Sequence, residues 1–181
     1  MNKTIYTIGH STHQINKFIE LLHLQNIELL VDVRSYPGSK RYPQFNKEFL
    51  QNYLPTQEIK YEHLLLLGGR RPVNKNSLNT NWRHPAFRAY ADYMETEDFK
   101  IGIEKLQDMA KSHNIAYMCS EAVWWKCHRS LISDYLKFNN WKVLHIMNSG
   151  KINEHPYTSA ARIAYGQLSY KSEIIESNKF F

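Results

Sequence analysis

Three apolar runs in this chain each end in a cluster of chemically capable side chains. Thr4-Ile5-Tyr6-Thr7-Ile8 runs into Gly9-His10-Ser11, Leu29-Leu30-Val31 into Asp32-Val33-Arg34-Ser35, and Ile115-Ala116-Tyr117-Met118 into Cys119-Ser120-Glu121. A run that is apolar almost throughout suits a strand covered on both faces. A helical crossover between two such strands favours parallel pairing. Strand, polar tip, then helix is how an open α/β sheet presents ligand groups, in a crevice beyond the carboxyl ends of its strands. The pattern predicts one shared crevice at three strand ends.

The remaining periodicity fills in the layers. Ile15, Phe18, Ile19 and Leu22 keep the spacing of one apolar helical face. Ser11 or Thr12 is expected to cap that helix, with Gln14 completing a capping box. A short helix is expected over Phe45–Tyr53, a third strand within Ile59–Leu67, and a polar loop over Arg70–Asn81. Two helical faces follow after Pro85, broken near Thr96-Glu97, and another covers Arg129–Phe138. Trp141–Met147 reads as a fifth strand. The expected fold class is α/β: a three-layer sandwich of about five mostly parallel strands flanked by helices. Five strands are too few to close an eight-stranded barrel. One domain over 1–181 is expected, with a core at 4–147 and a loop-rich extension at 148–181.

Composition narrows the functional classes. With 43% hydrophobic and 22% charged residues, the chain has the balance of a soluble globular domain. No run reaches the roughly 20 apolar residues that span a bilayer, and the first residues enter a strand pattern without an apolar leader core. The expectation is a cytoplasmic location and no membrane partner. Two cysteines, Cys119 and Cys127, suit a reducing compartment better than a disulfide scaffold. Nine cations and three anions lie between Pro37 and Tyr90, so the whole net charge of +6 resides there. Such a segment suits an anionic small molecule or nucleic acid, although a solvated surface has the same count. Tyr36, Tyr42, Phe45, Tyr53, Tyr61 and Trp82 are interleaved with these cations. They suit stacking on bases or plain core packing.

The tips carry the candidate chemistry. Gly9 permits close approach of a ligand to the backbone, and the helix start after it, at Ser11, is a ready anion site. His10 can exchange a proton near neutral pH. Asp32 and Arg34, two apart on a strand, point the same way. They either pair structurally, or Asp32 orients His10 or His128 while Arg34 binds an anion. The densest cluster is Cys119-Ser120-Glu121 with Cys127-His128-Arg129. Cys119, Cys127 and His128 can hold zinc with Glu121 as acid/base or fourth ligand, although the spacing matches no standard zinc pattern. A cysteine beside His and Arg at a helix start can instead be a nucleophile. The cysteines can also be inert core thiols while Glu121, His128 and Arg129 serve a phosphate. The Cys-x5-Arg loop of cysteine phosphatases is absent, because Trp125 stands where its arginine would be.

Together, Thr7-Ile8-Gly9-His10-Ser11, Asp32-Val33-Arg34-Ser35-Tyr36-Pro37 and Cys119-Ser120-Glu121…Cys127-His128-Arg129 resemble the motifs of the DUF488 family, bacterial and archaeal proteins of unknown function. His155-Pro156-Tyr157-Thr158 and Gly166-Gln167-Leu168-Ser169-Tyr170 resemble the C-terminal end of its longer members. The resemblance spans Thr4 to Tyr170 and implies a site at the motif residues, without an established reaction. The expected function is hydrolysis or group transfer on a phosphate-containing substrate such as a nucleotide or nucleic acid. His10, Asp32, Glu121 and His128 are the expected catalytic residues. Gly9, Ser11, Arg34, Ser35, Arg70, Arg71 and Arg129 are the expected anion-binding residues. The alternatives are a non-catalytic nucleic-acid-binding protein, or a metal or redox protein using Cys119 and Cys127.

Overall fold

The structure is a computed structural model and describes residues 3–173. Strands β1 (Thr4–Gly9), β2 (Leu29–Asp32), β3 (Lys60–His63), β4 (Ile115–Cys119) and β5 (Lys142–Ile146) pair in parallel. A sixth strand, β6 (Ile152–Glu154), adds antiparallel to β5, and the sheet order is β3-β2-β4-β1-β5-β6. Five helices cover it: α1 (Ile15–His23), α2 (Lys47–Tyr53), α3 (Pro85–Met94), α4 (Glu97–Ser112) and α5 (Arg129–Phe138). The expected α/β sandwich is the observed architecture.

Alternation along the strands divides the core between the two sheet faces. Leu29, Val31, Ile115, Tyr117 and Cys119 pack with Phe99, Ile103, Leu131 and Ile132 on one face. Leu30, Ala116 and Met118 pack with Phe18, Leu22, Leu50 and Leu54 on the other. Every residue of β2 and β4 is buried, which is why these strands read as continuous apolar runs rather than alternating ones.

The topology decides where a crevice forms. From β1 the chain passes through α1 to β2, on one side of the sheet. From β4, which neighbours β1, it passes through α5 to β5, on the opposite side. Crossovers in parallel sheets are right-handed, so opposite directions send α1 and α5 to opposite faces. The chain ends of β1 and β4 therefore part, and open sheets bind ligands at such a parting.

One local expectation fails. The first helix starts at Ile15, with Gln14 at its N-cap and no side-chain cap. Ser11 is three residues too early to cap it and sits at φ 50°. The backbone N–H groups of His10 and Ser11 donate instead to the carbonyls of Cys119 (3.0 Å) and Ser120 (2.9 Å). They tie the β1 tip to the β4 tip rather than forming a helix-start anion site. The region after Asn148 is rich in loops, with short strands that its weak periodicity does not display. It holds β6 and a hairpin of β7 (Arg162–Ala164) and β8 (Gln167–Ser169); residues 174–181 of the expected extension lie outside the described ones.

That C-terminal stretch is fixed by one buried carboxylate. Asp134 on α5 accepts from His155 Nε2 (2.9 Å), the Thr158 backbone N–H (2.9 Å), Thr158 Oγ1 (2.6 Å) and the Tyr170 hydroxyl (2.9 Å). Removing an acceptor that serves several buried donors leaves each donor with its full desolvation cost. Asp134→Ala should therefore destabilise the fold by about 3–5 kcal/mol in urea unfolding and expose the chain beyond residue 154 to limited proteolysis. A loss under about 1 kcal/mol with an unchanged cleavage pattern would refute this role.

Candidate functional site

The three tips meet around a cleft of about 890 Å³. His10 and Ser11 line it from the end of β1, and Arg34 and Ser35 from the turn after β2. Arg70 enters from the loop after Gly69, and Cys119, Glu121, Cys127 and His128 come from the end of β4 and the start of α5. Four residues expected at the site do not line it: Gly9, Asp32, Arg71 and Arg129.

Each of these four has a structural partner. A Cβ on Gly9 would overlap the Glu121 carbonyl oxygen, so glycine lets the β4–α5 loop lie against β1. Arg71 donates to the carbonyls of Gly68 (3.0 Å) and Leu66 (3.0 Å), and its guanidinium lies 3.4 Å from the Tyr93 ring centroid. Arg129 is buried, donating to Thr7 Oγ1 (3.0 Å) and the Glu121 carbonyl (2.6 Å). It braces the loop from beneath. Asp32 is fully buried and accepts from the Arg34 backbone N–H, the Arg34 guanidinium and the Tyr61 hydroxyl.

Asp32 orients Arg34, and Arg34 in turn orients His10. The Arg34 Nε and Nη2 protons go to Asp32, with a second Nη2 proton on the Phe45 carbonyl at 2.7 Å. Nη1 donates to His10 Nε2 at 3.1 Å. Four of the five guanidinium protons are thus placed among the described residues, leaving one on Nη1 at the cleft wall. The His10 Nδ1 proton goes to the Ser11 carbonyl (2.9 Å), and its ring stacks on Phe45 at 4.3 Å. Both ring nitrogens of His10 are engaged. Burial first, and the Arg34 charge second, lower its pKa to about 4, so the ring is neutral at pH 7.

In the same cleft, Cys119, Cys127 and His128 bring their donor atoms within 4.8 Å of one another. His128 Nε2 donates to the Val33 carbonyl at 3.0 Å. That fixes the tautomer and turns the Nδ1 lone pair toward the sulfurs, 3.6 Å from Cys127 Sγ and 3.9 Å from Cys119 Sγ. A Cβ on Gly69 would collide with Nδ1, so the chain packs on this ring only because residue 69 lacks one. The thiols differ. Donating to Cys127, followed by burial, pushes Cys119 up to about 12. Burial alone would raise Cys127 as well, but the Cys119 hydrogen bond and the charge and peptide N–H of Arg129 outweigh it and bring it to about 6.

The cleft also contains one aromatic that the sequence offers for base stacking, Tyr36, and two residues that it does not mark. Tyr36 (72% exposed), Trp125 (49% exposed) and Lys126 stand at its walls. The Arg70 guanidinium lies 5.3 Å from the Tyr36 ring centroid and has no acceptor among the described residues. Tyr36 and Trp125 carry a visible signal, large aromatics inside polar loops. Gly69 carries none beyond its doublet with Gly68.

A family model described as a domain of unknown function, DUF488, matches residues 14–136. The chain belongs to the DUF488 family. The match takes in the Asp32 and Arg34 tip and the whole Cys119–Arg129 cluster, while the β1 tip and the C-terminal stretch fall outside it. No curated protein and no solved structure matches this DUF488 chain. Among its described residues no helix is long and apolar enough to cross a membrane.

Two buried neutral rings give this DUF488 protein a testable acid response. Burial, then the Arg34 charge, lowers His10 to about 4; burial, then the His155 charge, lowers His145 to about 2. An unfolded chain takes up these protons below about 6.5, whereas the folded chain refuses them. Stability is therefore full above that pH and declines on acidification, by about 2 kcal/mol per ring between pH 6.5 and 5. The urea midpoint should fall over this window, and His10→Gln should flatten the slope. A midpoint constant from pH 7 to 5 would contradict both.

Proposed function

We propose that this protein is an enzyme that hydrolyses a phosphate-containing substrate, or transfers a group from it, in the cleft at the strand ends. One observation carries the reading: a single cleft is lined both by cationic donors and by a cluster of reactive side chains. The free Nη1 proton of Arg34, Arg70 and Lys126 suit phosphate oxygens, since charge-assisted donors favour anionic acceptors. Cys119, Cys127 and His128 form the reactive centre, with the exposed carboxylate of Glu121 beside it as the proton-transfer group. His10 and Asp32, whose polar atoms are already engaged, serve as positioning residues. Ser11 and Ser35 shape the wall, and Ser35 Oγ accepts from the Arg70 backbone N–H at 2.9 Å. The exposed rings of Tyr36 and Trp125 favour a nucleotide or nucleic acid among phosphate-bearing compounds, because every base has a face to stack.

The test is turnover of nucleotides and of single- and double-stranded oligonucleotides by the full chain, with zinc present and with a chelator. A turned-over substrate should lose at least about 100-fold in kcat with His128→Ala. Arg70→Ala should raise KM about tenfold with little change in kcat, the signature of lost uniform binding. Absence of turnover across the panel overturns the reading. If oligonucleotides then bind without reacting, with affinity falling steeply as salt rises, the protein is a nucleic-acid-binding module instead.

A further inference from the structure

The geometry points to a zinc ion held by Cys119, Cys127 and His128, with its fourth coordination position opening into the cleft. Zinc–ligand bonds of about 2.3 Å to sulfur and about 2.0–2.1 Å to nitrogen put S and N about 3.6 Å apart in a tetrahedral centre. The two sulfurs stand 3.6 and 3.9 Å from His128 Nδ1, and all three donor atoms lie within 4.8 Å. The His128 nitrogen therefore already stands near ligand spacing from both sulfurs.

The surroundings fit a metal better than an inert core. The Val33 carbonyl takes the Nε2 proton of His128 at 3.0 Å. A carbonyl or carboxylate on the far nitrogen is the usual outer partner of a metal-bound imidazole, fixing the ring and leaving the other nitrogen to bind. The buried sulfurs have few competing partners. Outside the trio, Cys119 Sγ has only Ser120 Oγ among the described residues, at 3.9 Å. Cys127 stands immediately before the N-cap of α5, where the helix dipole would complement a metal-bound thiolate. Two thiolates and one imidazole are soft and borderline donors that select zinc over magnesium or calcium. Three protein ligands with an open fourth position is the arrangement of catalytic rather than structural zinc. All three ligands and Glu121 line the same cleft, so a metal-bound water there would face the substrate space beside a carboxylate. Only this use of the fourth position depends on the function proposed above.

The test reads metal directly. Full-length protein, stripped with chelator and reconstituted with zinc, should retain one equivalent after gel filtration. Cobalt(II) in its place should give the thiolate-to-metal charge-transfer band and the intense visible bands of a tetrahedral site. Cys119→Ser, Cys127→Ser and His128→Ala, each checked for fold by circular dichroism, should retain less than a tenth of an equivalent. Zinc should also slow alkylation of Cys127 by iodoacetamide at least tenfold in the wild-type protein, a readout that survives if a variant fails to fold. Three results overturn the site: less than a tenth of an equivalent bound by folded wild type, retention unchanged in folded variants, or alkylation indifferent to zinc. Zinc bound without turnover of any phosphate compound leaves the metal site standing and removes the substrate assignment. Turnover unaffected by metal removal does the reverse.

Discussion

The buried pair of Asp32 and Arg34 is the interaction on which the site depends. Asp32 is fully buried and Arg34 is 6% exposed, so both charges are withdrawn from water at a cost of several kcal/mol per ion. Such a pair is tolerated only when geometry and extra hydrogen bonds satisfy what the partners cannot. Here the carboxylate accepts from the guanidinium at 2.6 and 2.9 Å, from the Arg34 peptide and from Tyr61 on β3. The guanidinium gives two further protons to the Phe45 carbonyl and His10. One ion pair therefore joins β2, β3, the turn before α2 and the β1 tip. The cleft wall is stiff because loosening any of these groups leaves an uncompensated charge inside.

A second buried cation organises the β4–α5 loop in a different way. Arg129 has no carboxylate partner among the described residues; it is held by Thr7 and the Glu121 carbonyl, and its Nε has no hydrogen-bond acceptor. Against the pull of burial, the Arg129 charge helps bring Cys127 down, whereas the bond to Cys127 and burial push Cys119 up. The asymmetry follows from position: a helix start favours negative charge, and only Cys127 precedes one.

Much of this was legible in the chain. Unbroken apolar runs identified the parallel strands, because strands covered on both faces have no polar side to show. The strand-end rule then brought His10, Arg34, Cys119, Glu121, Cys127 and His128 to one cleft without any knowledge of their contacts. The division of labour among them was not legible. The acceptors of Arg129 and Arg71 are backbone carbonyls, which the sequence does not display, so both read as free cations. The start of α1 was misplaced because Ser11 and Gln14 satisfy a capping pattern locally, while the tertiary tie of Ser11 to Ser120 holds it outside helical geometry. β6 is three residues long and two of its residues are exposed, too little for any periodicity.

The C-terminal stretch is the part whose contribution is least visible in the sequence and most consequential for the site loop. His155, anchored on Asp134, meets His145 of β5 at 2.9 Å. Trp124 stacks on His145 at 4.5 Å and meets His155 edge-on at 5.0 Å. Trp124 opens the short turn that leads to Cys127. A loop carrying a reactive cysteine is thus clamped from below by Arg129 and laterally by an aromatic stack whose far side belongs to residues after 154. Loops of this kind hold their geometry only when something rigid backs them. In this chain the backing comes from a segment outside the family match, so the spacing between Cys127 and His128 on one side and Cys119 on the other depends on residues that never touch the cleft.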